Sequence, residues 1–168
     1  ADVWYVNSAV AGSSGISRAT AVATIAAAIT LAGAGDIIMV ADGHTESLSD
    51  SLLCNASKAG LRIIGEGTGP QRPTITLAHA DATLTISAAG VLLRNLLFLL
   101  TADATIVVDV NAADAWIDNC EFRARTAATA REYVTAIDIN GGSANAADRA
   151  KVTNCLFTST ANAGSTQA

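Results

Sequence analysis

The chain has 168 residues, 51% of them hydrophobic, 4% aromatic and 15% charged, and a formal net charge of −5 at pH 7. That length and an apolar content with mean hydropathy +0.38 suffice to bury one full core, so a single domain is expected. The acidic balance argues against a nucleic-acid backbone as partner, no window offers about 18 uninterrupted strongly apolar residues, and the opening ADVWYVNS carries no basic stretch, so neither a membrane span nor a retained signal peptide is expected.

In chain order, VWYVN (3–7) reads as a strand and AGSSGIS (11–17) as a loop. In RATAVATIAAAITLAGAG (18–35), Val22, Ile25, Ile29 and Ala32 fall at helical spacing and Gly33 and Gly35 supply a stop, which predicts an amphipathic helix of about four turns. DIIMVADGHTE (36–46) gives a buried strand and a turn. LRIIGEG (61–67) gives a strand with a glycine bend, and RPTITLA (72–78) and ATLTISAAG (82–90) give two more strands. A helix ahead of a repeat array has a structural task, because terminal repeats need a cap over their apolar end.

Three later stretches repeat one phrase: LLRNLLF (92–98), WIDNCEF (116–122) and KVTNCLF (151–157). They align without gaps on Asn95, Asn119 and Asn154, on Leu96, Cys120 and Cys155, and on Phe98, Phe122 and Phe157. The irregular spacing between copies excludes a helical repeat of fixed length and suits short strands carrying loops of different length. A second phrase, VDVN (108–111) and IDIN (137–140), recurs beside them. Asn tolerates the left-handed backbone that a sharp bend between strands requires, and its amide can bond to its copy in the next repeat. A bend there resets the alternation, so Leu93, Leu96 and Phe98 are expected inside and Leu92, Arg94 and Leu97 outside. Stacked copies would form Asn and Phe ladders at the ~4.8 Å strand spacing. The fold class expected is all-β, a right-handed parallel β-helix of about five coils with an N-terminal capping helix. Residues 1–35 would be the entry strand and cap, 36–157 the coils, and 158–168 a polar tail.

The run DVWYVNSAVAGSSG…ATIAAAITLAGAGDIIMVADGHTE resembles the entry of right-handed parallel β-helix proteins of the pectin-lyase-like superfamily, and LRIIGEGTGPQRPTITL…WIDNCEF is similar to short β-helix proteins encoded by tailed bacteriophages. The resemblance implies the fold, and it implies a virion protein assembled in the host cytoplasm. It transfers no catalytic residues, because the acidic and histidine motifs of the polygalacturonases are missing and DGHTE lies in the first repeat. Fold alone does not fix activity, since β-helices host lyases, hydrolases, adhesins and structural proteins.

Among candidate chemical groups, Asp109 and Asp138 occupy equivalent outward positions, where a glycosidase pair or a calcium site would put two carboxylates about 5 Å apart. With nothing basic, aromatic or imidazole recurring beside them, solvated strand-face charges are the expectation. His44 and His79 are expected in turns or at the surface. GEGTGP (65–70) lacks the lysine and helix of a phosphate loop. The cysteines, Cys54, Cys120 and Cys155, lack metal-ligand spacing; Cys120 and Cys155 share a ladder position where a disulfide is conceivable but buried free thiols are expected. No catalytic residue, metal or cofactor is expected.

The informative outward residues are apolar. Leu92 and Trp116 share a column with Lys151, and Leu97 and Leu156 flank Glu121, so adjacent repeats expose large side chains unless the loops 123–133 and 141–149 cover them. The last repeat, around Val152, Cys155 and Phe157, is followed by the polar TSTANAGSTQA, without a second capping helix. The expected function is therefore a non-enzymatic structural virion protein, a capsid decoration or fibre component docking as a homo-oligomer, foremost a trimer, or on a capsid protein. The alternative is a β-helix that binds or degrades a polysaccharide.

Overall fold

The computed structural model describes residues 1–10, 12–49, 54–124, 133–139 and 147–158, with Cys54 described in its backbone only. The chain enters through β1 (Val3–Val6), a 3-10 turn at Arg18–Thr20 and α1 (Ile25–Leu31). Strands then follow in groups of three. The first group is β2 (Ile37–Val40), β3 (Thr45–Leu48) and β4 (Cys54–Ala56), and the second is β5 (Arg62–Gly65), β6 (Thr74–Leu77) and β7 (Leu84–Ile86). Next come β8 (Leu92–Arg94), β9 (Leu97–Leu100) and β10 (Ala104–Val110), then β11 (Trp116–Asp118), β12 (Glu121–Arg123) and β13 (Tyr133–Ile139), and last β14 (Lys151–Thr153) and β15 (Leu156–Thr158).

These strands form three parallel sheets that the chain visits in rotation. Sheet 1 runs β1-β2-β5-β8-β11-β14, sheet 2 runs β3-β6-β9-β12-β15, and sheet 3 runs β4-β7-β10-β13. The protein is thus mostly strand, parallel throughout the described pairs, with little helix. Purely parallel sheets are normally covered on both faces; here short strands alternate one buried and one outward residue instead.

Register places like residues side by side, as the repeated phrase predicts. Leu93, Ile117 and Val152 align in sheet 1, and Phe98, Phe122 and Phe157 align in sheet 2. The three rings stack at 5.0 Å between centroids, 13° and 9° from parallel. Leu93, Leu96 and Phe98 are all fully buried. The bends are left-handed, with φ of 59° at Asn95, 52° at Asn119 and 54° at Asn154. Asn119 Nδ2 donates to Asn95 Oδ1 at 3.2 Å, whereas Asn154 Nδ2 turns to Asp118 Oδ1 at 2.9 Å. The amide ladder therefore has one Asn-to-Asn rung, because a carboxylate is the stronger acceptor for the second.

A further bend recurs two residues before each sheet 1 strand from β2 onward. Gly35, Gly60, Gly90, Asp114 and Arg149 all have positive φ. Gly35, Gly60 and Gly90 each donate a backbone hydrogen bond into the next group. Asp114 and Arg149 close the column with a two-pronged ion pair, at 2.7 and 2.6 Å.

The helix is shorter than its spacing suggests. α1 covers only the seven residues Ile25–Leu31. Val22 is extended and bridges Val6 instead, exchanging backbone bonds with Tyr5 and Asn7. β-Branched Val22 and Thr24, which follow the 3-10 turn, favour that extended approach. Thr24 then caps the helix, its Oγ1 accepting from Ala27 N at 3.2 Å. Ile25, Ala28 and Ile29 bury the inner face of α1, which contacts β1, β2 and β4 at the first end of the sheets.

Candidate functional site

The outward rows are assembled as the sequence predicts, with Leu92, Trp116 and Lys151 neighbours in sheet 1 and Leu97, Glu121 and Leu156 neighbours in sheet 2. Trp116 is 43% and Leu156 54% exposed, while Leu92 is half-buried. The Trp116 indole N–H donates to Thr153 Oγ1 at 2.7 Å, which fixes the ring against the next strand. Leu97 does not belong to the exposed set, because it is only 7% exposed. Arg72, just ahead of β6, pairs with Glu121 of β12 at 3.5 Å, and that ion pair has to cross β9 where Leu97 lies. The loops expected as alternative cover lie largely in 125–132 and 140–146 and the polar tail in 159–168, outside the described residues.

The last strand of each sheet exposes a residue that its neighbours bury. In sheet 1, Val152 is 38% exposed beside Ile117 at 1% and Leu93 at 0%. In sheet 2, Phe157 is 46% exposed beside Phe122 and Phe98 at 0%. In sheet 3, Ile139 is 46% exposed beside Val110 at 1% and Ile86 at 0%. Cys155 lies half-buried in the same layer. At the opposite end interior residues are covered, with Val6, Ile25 and Ala56 at 0% and Leu48 at 3%, while Trp4, the first member of the Val152 column, is half-buried.

Polar side chains clamp this framework. Asp118, 6% exposed, accepts from Thr153 Oγ1 at 2.8 Å and from Asn154 Nδ2, and its other oxygen lies 3.3 Å from Arg94 Nε. The Asn154 and Thr153 hydrogen bonds hold its carboxyl below the ordinary carboxylate range. Near the entry, Asp36 accepts from the Trp4 indole at 2.9 Å and from the backbone of Gly33 and Asp2, which lowers its pKa to about 2.

His44 sits in a turn as expected but is not at the surface, being 1% exposed. Its Nδ1 accepts from Ser8 N at 3.0 Å, so Nε2 carries the proton and donates to Glu46 Oε2 at 2.9 Å. The same oxygen accepts from Ile25 N at 2.8 Å, tying the start of α1 to β3. Both ring nitrogens are engaged and solvent is excluded, so this pair is a clasp. The signal was the two-residue spacing of His44 and Glu46, which on an extended chain puts both side chains on one face. His79 is exposed.

Asp109 and Asp138 are partners in register, and Asp109 accepts from the Asn111 amide at 2.6 Å. Among the described residues, no three His, Cys, Asp or Glu side chains gather as a metal site. Cys120 and Cys155 are free thiols; burial pushes Cys120 up to about 12 and raises Cys155, so neither is primed as a nucleophile. Pockets of about 350 Å³ beside α1 and Lys58, and about 190 Å³ beside Tyr5 and Arg18, do not overlap the Asp109–Asp138 pair. No described helix is long and apolar enough to cross a membrane. Comparison with protein-family models, curated proteins and solved structures gave no match for the chain.

Proposed function

We propose that the three sheets are the faces of a right-handed parallel β-helix of about five coils, capped at its first end by α1, and that the protein is a non-enzymatic structural component that works by docking. The rotation of the chain through three parallel sheets supports the first part, together with the strong preference of parallel crossovers for the right hand. The observation that carries the second is the exposed cross-section of core at Val152, Phe157 and Ile139. Val152, Phe157 and Ile139, in line with buried residues of three sheets, are left at 38–46% exposure, and exposed apolar surface of this kind marks interaction sites. Outward Trp116 and Leu156 extend it along the side, Trp being a frequent interface anchor.

The resemblance to short phage β-helix proteins makes a virion the setting of choice, with the chain as a capsid decoration or fibre component. Its partners are then protein surfaces: another copy or a capsid subunit. Co-sedimentation with purified particles of the source tests this. Binding that Trp116→Ala weakens tenfold or more, with the β-rich circular dichroism intact, is the expected result. Depolymerisation of a host surface glycan that Asp109→Asn abolishes would replace the docking reading with the carbohydrate-active one.

A further inference from the structure

We infer that Cys120 and Cys155 are the two halves of a latent disulfide, a redox modification site that closes between adjacent strand groups and ties β14 and β15 to β11 and β12. The inference stands apart from the docking reading, and neither falls with the other.

The two thiols hold equivalent positions, each one residue after a left-handed bend, at Asn119 and at Asn154. The strands on either side are in register, Asp118 with Thr153 and Glu121 with Leu156. Between them Leu156 N donates to Cys120 O at 3.0 Å, so the two backbones run one strand spacing apart, about 4.8 Å. That lies inside the range of about 4.4–6.8 Å that a disulfide allows between Cα atoms. The side chains point the same way. Cys120 Sγ lies 3.5 Å from Asp118 O and 3.9 Å from Leu93 O, and Cys155 Sγ lies 3.3 Å from Thr153 O and 3.7 Å from Ile117 O, the matching carbonyls one group later. Each thiol thus reaches back toward the preceding group. For Cys155 that is the group of Cys120, whose backbone the Cys155 thiol also contacts. Stacked side chains keep their Cβ atoms near the same spacing, and a disulfide draws them to about 3.8 Å. The last layer can supply that movement, because among the described residues β14 and β15 pair on one side alone.

The chemistry is thiol–disulfide exchange with a small disulfide as oxidant. The half-buried Cys155, as thiolate, attacks one sulfur of that disulfide, displacing a thiolate and leaving a mixed disulfide. Cys120 then loses its proton and attacks Cys155 Sγ, which releases the second thiol. Two cysteine thiols become one disulfide, and the oxidant is reduced to two thiols. Burial raises both cysteines, Cys120 to about 12, while Asp118 and Arg72, the charged groups acting on both, push in opposite directions. Thiolate is therefore scarce, and closure is slow near neutral pH and speeds up about tenfold per pH unit.

Incubating the full folded chain with 2-hydroxyethyl disulfide, blocking the remaining thiols with iodoacetamide and digesting with trypsin tests the inference. Cleavage after Arg94, Arg123 and Lys151 puts Cys120 in 95–123 and Cys155 in 152–168, apart from Cys54. A disulfide joining those two peptides is expected, formed about tenfold faster at pH 9 than at pH 8, with a melting midpoint raised by about 4 °C or more and restored by dithiothreitol. Cys155→Ser, a near-isosteric change at a half-buried position, should gain no stability from the reagent, whereas Cys54→Ser should close like the unsubstituted chain. Free Cys120 and Cys155 after prolonged incubation at pH 9, a mixed disulfide that persists on Cys155, or a link through Cys54 overturns the inference. Closure that occurs only once denaturant has unfolded the chain overturns it as well.

Discussion

Phe122 sits between Phe98 and Phe157 in the stacked column and is fully buried, so removing its ring leaves a cavity in the middle of the core. Phe122→Ala should cost about 3–5 kcal/mol in a denaturant melt. Phe157→Ala, at 46% exposure, should cost less than half as much in the monomer. The left-handed bends should respond to backbone chemistry. Asn119→Ala places a Cβ at φ 52° and should lose about 1–2 kcal/mol, with Asn119→Gly losing less. Asp36 links residue chemistry to pH. Its folded pKa of about 2 lies below the ordinary 3.8, so the clamp's contribution is full above about pH 4 and disappears as pH falls through about 2. Asp36→Asn should flatten that part of the acid-unfolding curve, whereas an unchanged curve would mean that the Trp4 and Gly33 contacts are not held in solution. The Asn and Phe ladders were legible because side-chain identity repeats. The column Gly35, Gly60, Gly90, Asp114, Arg149 was not, because only the backbone angle is shared.

At the scale of elements, polar residues explain what sequence pattern missed. β3 (Thr45–Leu48) carries Glu46 in register with Ile75, where its neighbours are apolar. An inward carboxylate breaks the apolar alternation that reveals a strand, so Thr45 and Glu46 read as the end of the turn in 36–46 and no strand is expected over 45–48. The structure satisfies Glu46 with the His44 imidazole and the first amide of α1. His44→Leu removes one donor from that buried carboxylate and leaves Ser8 N without its acceptor, at a cost of about 1–3 kcal/mol. The melt should show that loss, and hydrogen exchange should show it concentrated in α1 and β3. A uniform loss across all sheets would mean that the clasp does not act on the cap. The overlong helix expectation has a related cause. The apolar spacing from Val22 onward fits a helix, but Val22 pairs with Val6, and strand pairing outweighs the weak helix propensity of alternating β-branched residues.

At the scale of the whole molecule, the two ends differ. The first is covered by α1 over fully buried residues, and among the described residues the last layer presents Val152, Phe157 and Ile139 partly exposed. Apolar side chains exposed beside a strand edge are an aggregation hazard unless they are covered, which is the ground for the docking proposed above. The outward Trp116 and Leu156 were legible as exposed apolar residues on adjacent repeats. Leu97 was not, since Arg72, the residue that crosses over it, belongs to a strand group some 25 residues earlier in the chain. Amide hydrogen exchange of β13–β15, measured in the dilute monomer and again in the assembled state, at high concentration or on particles, tests docking at this end most directly. The edge amides of these three strands should exchange fast in the monomer and gain protection on assembly, with α1 and β1–β7 unchanged. Equal, full protection of β13–β15 in both states would mean that the end is already covered within the monomer, and would contradict the account.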